Sequence, residues 1–145
     1  MFFWSHVWDP HFRYQPPAPY DALFDPNGAA GFDLYDRLDR GEVTAGQVYF
    51  HNDLKPPQLA HAIALYDGEI RYADTVVGSF LQLLKDLRLY DDALIILTAD
   101  HGESLGEQGY FFEHGEYLYD STLHIPLIIR FPGGRHAASV SPARR

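Results

Sequence analysis

The sequence predicts an α/β fold, a partial α/β/α sandwich around a mainly parallel sheet, and three observations carry that expectation. An aromatic and β-branched run, FFWSHVW, lies at the start; a stretch of helical periodicity spans Gln58 to Arg88; a second apolar run, ALIILT, follows it closely. A strand, a helix and a strand joined by short links make a βαβ unit, whose two strands lie parallel with a right-handed crossover.

Phe2 to Trp8 reads as a buried strand that breaks at Asp9-Pro10. Residues 12 to 57 follow as an irregular excursion rich in proline and glycine, with only short possible helices such as Phe32 to Leu38. In the next stretch Leu59, Ile63, Tyr66, Ile70, Ala73, Val77, Phe80, Leu81, Leu84 and Leu87 recur at steps of three and four, which predicts one buried helical face. Pro56 and Pro57 suit its start, while Gly68 and Gly78 inside it mark a kink or a close contact. Asp67 and Asp74 share a face seven residues apart and read as solvated or capping groups. Ala93 to Thr98 is too short for a helix and reads as a second buried strand; Leu127 to Phe131 is a third, closed by Pro132-Gly133-Gly134. One domain is expected over residues 1–134, with a frayed tail over 135–145. Because the chain starts inside a strand-like run and its last residues offer little to bury, both ends read as truncated pieces of a larger domain.

At 145 residues and 46% hydrophobic content the chain is long enough to bury a core. Twenty acids against eleven bases leave a net charge of -9, an unfavourable surface for nucleic acid or anionic membrane. An anionic substrate would need a local counter-charge, and a divalent cation is the simplest source. The absence of cysteine excludes disulfides, zinc–thiolate clusters and a cysteine nucleophile within this chain. No apolar run is long enough to span a membrane, and the first residues lack the pattern of a signal peptide. Compartment and oligomeric state stay open.

Ligands of parallel α/β sheets bind beyond the carboxyl ends of the strands. The first strand ends in Trp8-Asp9-Pro10-His11 and the second in Ala99-Asp100-His101-Gly102, so these polar residues are expected at one edge. Asp100 and His101 offer a hard oxygen and an imidazole nitrogen, suited to Mn²⁺, Zn²⁺ or Ca²⁺. Two donors do not close a site, and no HExxH, EF-hand loop or cysteine pair supplies the others. Gly102, Gly106 and Gly109 fit neither the P-loop nor GxGxxG, and no GxSxG elbow supports a serine hydrolase. His6 reads as a core histidine, Glu103 and Glu107 as caps of the turn after the strand, and His51, His61, His124 and His136 as surface residues.

The segment TADHGESLGEQGYFFEHGEYLYDSTLHIPLIIRFPGG resembles the second half of a sulfatase catalytic domain, in the alkaline phosphatase superfamily. FFWSHVWDPHFRYQPPAPY is similar to that family's His-x-x-Asp-Pro-His element and Pro-rich loop, and ALYDGEIRYADTVVGSFLQLL to its long helix, so that the likeness runs over residues 2 to 134. The resemblance implies an alkaline-phosphatase-like fold and a metal-dependent sulfuric ester hydrolase acting on a sulfate or phosphate ester. It implies a divalent ion, Ca²⁺ or Mn²⁺, held by Asp100 and His101. His11 would protonate the leaving alcohol, and His114 would contact the sulfate or phosphate oxygens.

A sulfatase also needs a pair of N-terminal aspartates and a Cys/Ser-x-Pro-x-Arg element whose first residue becomes the formylglycine nucleophile. Neither stands in this chain; in the tail VSPAR, Val140 occupies the nucleophile's place. The resemblance therefore implies a fragment carrying metal ligands and acid groups without the nucleophile, inactive by itself. Two alternatives keep the same residues: a phosphonate or phosphodiester hydrolase or phosphoethanolamine-type transferase, and a catalytically inert module.

Overall fold

The computed structural model describes residues 1–29, 31–50 and 53–135. Most of the tail expected to fray, with His51 and His136, lies outside the described residues. Among the described residues, four α-helices and four strands follow in chain order: α1 (Leu34–Asp39), α2 (Ala45–Phe50), α3 (Pro56–Asp86), β1 (Ile95–Thr98), β2 (Ser104–Leu105), β3 (Phe111–Glu113), α4 (Asp120–Leu123) and β4 (Leu127–Arg130).

Helix α3 agrees with the periodicity to within two residues at either end. Pro56 and Pro57 occupy its first turn, where no intrahelical N–H partner is needed, and the Gln58 side chain accepts the Lys55 backbone N–H at 3.0 Å. A one-turn helix, Tyr20–Ala22, lies against α3 at Gly68. A Cβ on Gly68 would run into the Tyr20 carbonyl and Pro16, so the expected close contact is real at this position. Gly78 has open space around it and marks no such contact.

The core is aromatic and gathers on the N-terminal half of α3. Tyr14, Leu34, Val48, Ala62 and Phe112 are buried together, with Phe12, Tyr35 and Tyr66 packed against them. Phe12 stacks on Phe112 at 5.9 Å between ring centroids, and the Tyr14 ring stands edge-on to both Phe112 and Tyr66. These offset and edge-to-face arrangements match the quadrupole preference of aromatic pairs. The irregular excursion is thus a structural layer: it supplies Tyr14 and, through α1 and α2, Leu34 and Val48.

Three expectations are not met among the described residues. Phe2–Trp8 forms no strand, because no described segment offers it a ladder of hydrogen bonds; Phe2, Trp4 and Trp8 are exposed, and Phe3 instead stacks on Phe80 of α3 at 5.4 Å. The parallel βαβ pairing is therefore missing among the described residues. Instead, β1 pairs with β4 antiparallel, Ile95 opposite Arg130 through Thr98 opposite Leu127, and β2 pairs with β3 in a short antiparallel hairpin. Finally, the predicted buried face of α3 holds only along its N-terminal half. Ile70, Phe80 and Leu87 are exposed, since the aromatic core ends before it reaches them.

Candidate functional site

The turn after β1, the β2–β3 hairpin and the loop after residue 8 meet above the aromatic core. Gly102 makes the first of these possible: its N–H donates to the Thr122 carbonyl at 2.8 Å, and a Cβ there would collide with the Ser121 carbonyl. Helix α4 thereby presses directly on the Asp100–His101 turn. Phe12 and Phe112, stacked in the core, lie one residue from His11 and two from His114, so packing below sets the positions of both imidazoles above.

All the sequence-expected site residues come together. His11 lies 6.5 Å from His101 and 5.6 Å from His114 between ring centroids, and the His101 and His114 rings stack at 3.4 Å. Asp100 Oδ1 is 3.7 Å from His101 Nε2. Trp8 stacks on His11 at 5.0 Å, covering one face of its ring.

Each histidine has its Nδ1 engaged. His11 Nδ1 meets the Phe12 carbonyl at 2.7 Å, and His101 Nδ1 meets the Gly102 carbonyl at 2.7 Å. A carbonyl only accepts, so both Nδ1 atoms carry the proton and Nε2 is the nitrogen left for chemistry. His114 Nδ1 faces Glu103 Oε1 at 3.2 Å.

Glu103 departs from the capping role expected of it. Its side chain is only 3% exposed and accepts from the Tyr14 hydroxyl at 3.1 Å as well as facing His114. Burial pushes its carboxyl above the usual range, opposed by the His114 and Tyr14 hydrogen bonds. Burial likewise raises the Tyr14 phenol, and the adjacent Glu103 charge adds to that. No periodicity flags Glu103; its position directly after Asp100-His101-Gly102 is the one available signal. Glu107 does cap the turn, its Oε2 accepting the Leu105 N–H at 2.8 Å.

Two other histidines differ from expectation. His6 is exposed, with its ring edge-on to Trp8, and is no core residue. His61 is partly buried and pairs with Asp25 at 3.0 Å. Asp67 and Asp74 are solvated, as expected, with Asp74 paired to Arg71.

A buried carboxylate on α3 supports the site from beneath. Glu69 Oε1 accepts the Gln15 N–H at 2.7 Å, tethering the loop beyond His11, while Oε2 has no partner. Burial, with a smaller contribution from the Asp9 charge, pushes this carboxyl up to about 7 against the opposing Gln15 hydrogen bond.

The Sulfatase family model matches residues 1–144. The chain belongs to the sulfatase family. Human (Homo sapiens) iduronate 2-sulfatase is 40% identical over 68 residues, 47% of this chain and 12% of that protein. Choline-sulfatase of Rhizobium meliloti is 32% identical over 85 residues, 59% of this chain and 16% of that protein. Among solved structures, a phosphonate monoester hydrolase from Silicibacter pomeroyi superposes with a TM-score of 0.60 at 34% identity, over 86% of this chain and 27% of that one. The sulfatase-family chain described here thus spans only a small part of its relatives' length. Its fold is of their α/β class, and no helix among the described residues is long and apolar enough to cross a membrane.

Asp100 and His101 are the two residues expected to hold a divalent ion. The Asp100 side chain is 70% exposed and open to a ligand. Burial tends to raise its carboxyl, but backbone hydrogen bonds and the nearby His101 and His6 imidazoles outweigh this and hold it below the usual range. His101 donates its far nitrogen to a backbone carbonyl, the arrangement that orients imidazole ligands. Among the described residues no group of three or more His, Asp or Glu side chains converges on one point, so the chain offers a two-donor fit.

Proposed function

We propose that this chain carries the acid-and-metal side of a sulfuric ester hydrolase centre, with Asp100 and His101 as metal ligands, His11 as general acid and His114 as contact to the ester oxygens. One observation supports it above the rest: His11 meets His101 and His114 across some ninety residues of sequence, in a chain of the sulfatase family. A Ca²⁺ or Mn²⁺ ion at Asp100 and His101 would supply Lewis-acid stabilisation to the ester oxygens. His11 keeps its Nδ1–H on the Phe12 carbonyl, so the proton delivered to the departing alkoxide is the second one, carried on Nε2 of the imidazolium, which returns to the neutral ring. Such acid catalysis is worth about 10²- to 10⁴-fold in rate. His114 directs its Nε2 side to the oxygens, where a cationic ring would stabilise developing charge.

The same reading takes residues 1–134 as a partial alkaline-phosphatase-like catalytic domain, whose mainly parallel sandwich needs strands beyond the two antiparallel pairs. It leaves the chain without a nucleophile of its own, since it has neither cysteine nor a Cys/Ser-x-Pro-x-Arg element, and so inactive alone. A second reading, a phosphonate or phosphodiester hydrolase, is favoured by the likeness to the Silicibacter enzyme.

Equilibrium dialysis with Mn²⁺ or Ca²⁺ and assays with aryl sulfate and aryl phosphonate esters test both. Weak metal retention that Asp100→Ala and His101→Ala abolish, without turnover, is the expected result. Retention indifferent to both substitutions would overturn the ligand assignment. Turnover that His11→Ala removes would overturn inactivity, and the preferred ester would choose between the readings.

A further inference from the structure

We infer that Glu103 is a positioning residue: its buried carboxylate holds the His114 imidazole with Nδ1–H turned inward and Nε2 turned towards the ester oxygens. The inference rests on the reading of His114 as the oxygen contact and adds the group that orients it.

Glu103 has both carboxylate oxygens committed, Oε1 to His114 Nδ1 at 3.2 Å and Oε2 to the Tyr14 hydroxyl at 3.1 Å. An ionised carboxylate only accepts, so the nitrogen facing it must carry the proton; in the neutral ring the opposite nitrogen keeps its lone pair, and it contacts ester oxygens only once it carries a proton as well. Glu113 does not compete: its Oε1 is 3.8 Å from His114 Nδ1 and already accepts the backbone N–H groups of His114 and Gly115. The His114 ring is thus held on one edge by Glu103 and on one face by His101, stacked at 3.4 Å.

Tyr14 does not depend on Glu103 for its own place. It is fully buried, its N–H donates to the Tyr35 hydroxyl at 2.9 Å, and that hydroxyl donates back to the Tyr14 carbonyl at 3.1 Å. Its phenol therefore offers Glu103 a rigid anchor. The carboxylate spans from this anchor to His114, joining the segment that bears His11 to the hairpin that bears His114 across 89 residues of sequence. A group needed only to satisfy the Tyr14 hydroxyl would leave the His114 ring free to choose its tautomer, and that difference is measurable.

The test uses the full chain with ring-¹⁵N histidine, free of metal and ester, about two pH units above the ordinary imidazole pKa of about 6.5. Long-range ¹H–¹⁵N correlations read each ring's tautomer, and His114→Asn assigns the His114 signals. Wild-type His114 is expected as a single Nδ1–H tautomer. Glu103→Leu combined with Tyr14→Phe removes both partners of the buried hydrogen bond without orphaning either. It is expected to lower the Nδ1–H to Nε2–H ratio of His114 by roughly tenfold or more, with His11 and His101 unchanged. Glu103→Gln, which keeps an acceptor oxygen, restores the Nδ1–H form. Wild-type His114 protonated at Nε2, or averaging between tautomers, overturns the inference, and this outcome needs no variant to fold. An unchanged Nδ1–H ring in the folded double variant overturns it too. Failure of metal retention at Asp100 and His101 bears on the proposed function and leaves this measurement standing.

Discussion

Helix α3 runs unbroken for 31 residues, yet its two halves lie in different surroundings. The first half buries Ala62, Gly68 and Glu69 beneath Tyr14, Phe112 and the one-turn helix at Tyr20–Ala22. The second half presents Leu83 and Leu87 to solvent, as the β1–β4 ribbon does Ile96, Leu127 and Ile128. One amphipathic pattern therefore covers both a packed face and an open one. The candidate site inherits the contrast. His114 and Glu103 stand on the aromatic core, whereas Asp100 follows directly on the open ribbon and is itself exposed. His114 and Glu103 are held in place by packing, and Asp100 has much less to hold it.

The largest expected effect tests that contrast directly. Phe112→Ala removes a buried ring from the packed half and should cost about 3–5 kcal/mol, enough to abolish a cooperative urea transition in a domain of marginal stability. Leu83→Ala, on the same helix in the open half, should change stability by less than about 0.5 kcal/mol. Equal effects would erase the distinction.

Glu69 gives the packed half a signature in pH. Its folded carboxyl is raised to about 7 from an ordinary value of about 4.3, so below the lower value both states are protonated and no penalty exists. As pH rises between the two values the unfolded chain ionises first, and stability falls by roughly 3 to 4 kcal/mol before levelling off above the folded value. Glu69→Gln should flatten that decline and leave the neutral-pH protein the more stable of the two. Urea midpoints across this pH range check it, and a decline of the same size in Glu69→Gln would assign it elsewhere.

Gly102→Ala comes next, at about 1–3 kcal/mol, because the added methyl must displace the Ser121 carbonyl. Metal retention is expected to fall with it, since the same displacement moves the Asp100–His101 turn. A folded Gly102→Ala chain with unaltered retention would detach α4 from the site.

The smallest effect on stability belongs to the open half. Ile128→Lys and Leu87→Lys should each shift unfolding by no more than about 0.5 kcal/mol while reducing self-association in sedimentation velocity. A cooperative loss of stability on either change would show that this face is packed after all.

Local chemistry was enough to read much of this molecule from its residues. The helix at Pro56–Asp86 follows from periodicity and the prolines at its start, and the strands at Ile95–Thr98 and Leu127–Arg130 from short apolar runs bounded by acids or by proline and glycine, signals that act within a few residues; that both strands leave apolar side chains exposed, where burial was expected, is not among them. Motif and order single out Asp100, His101, His11 and His114 as candidates, and the sulfatase likeness rests on the same letters. Tertiary structure alone decided what each apolar run packs against. A strand needs a partner, and Phe2–Trp8, for all its strand-like composition, finds none among the described residues. The sense of the β1–β4 pair depends on how the hairpin and α4 return the chain, which no window of sequence encodes. The same holds for Glu103. Nothing in its neighbours distinguishes a solvated cap from a buried carboxylate; the Tyr14 hydroxyl, 89 residues away, makes that difference by meeting it inside the core.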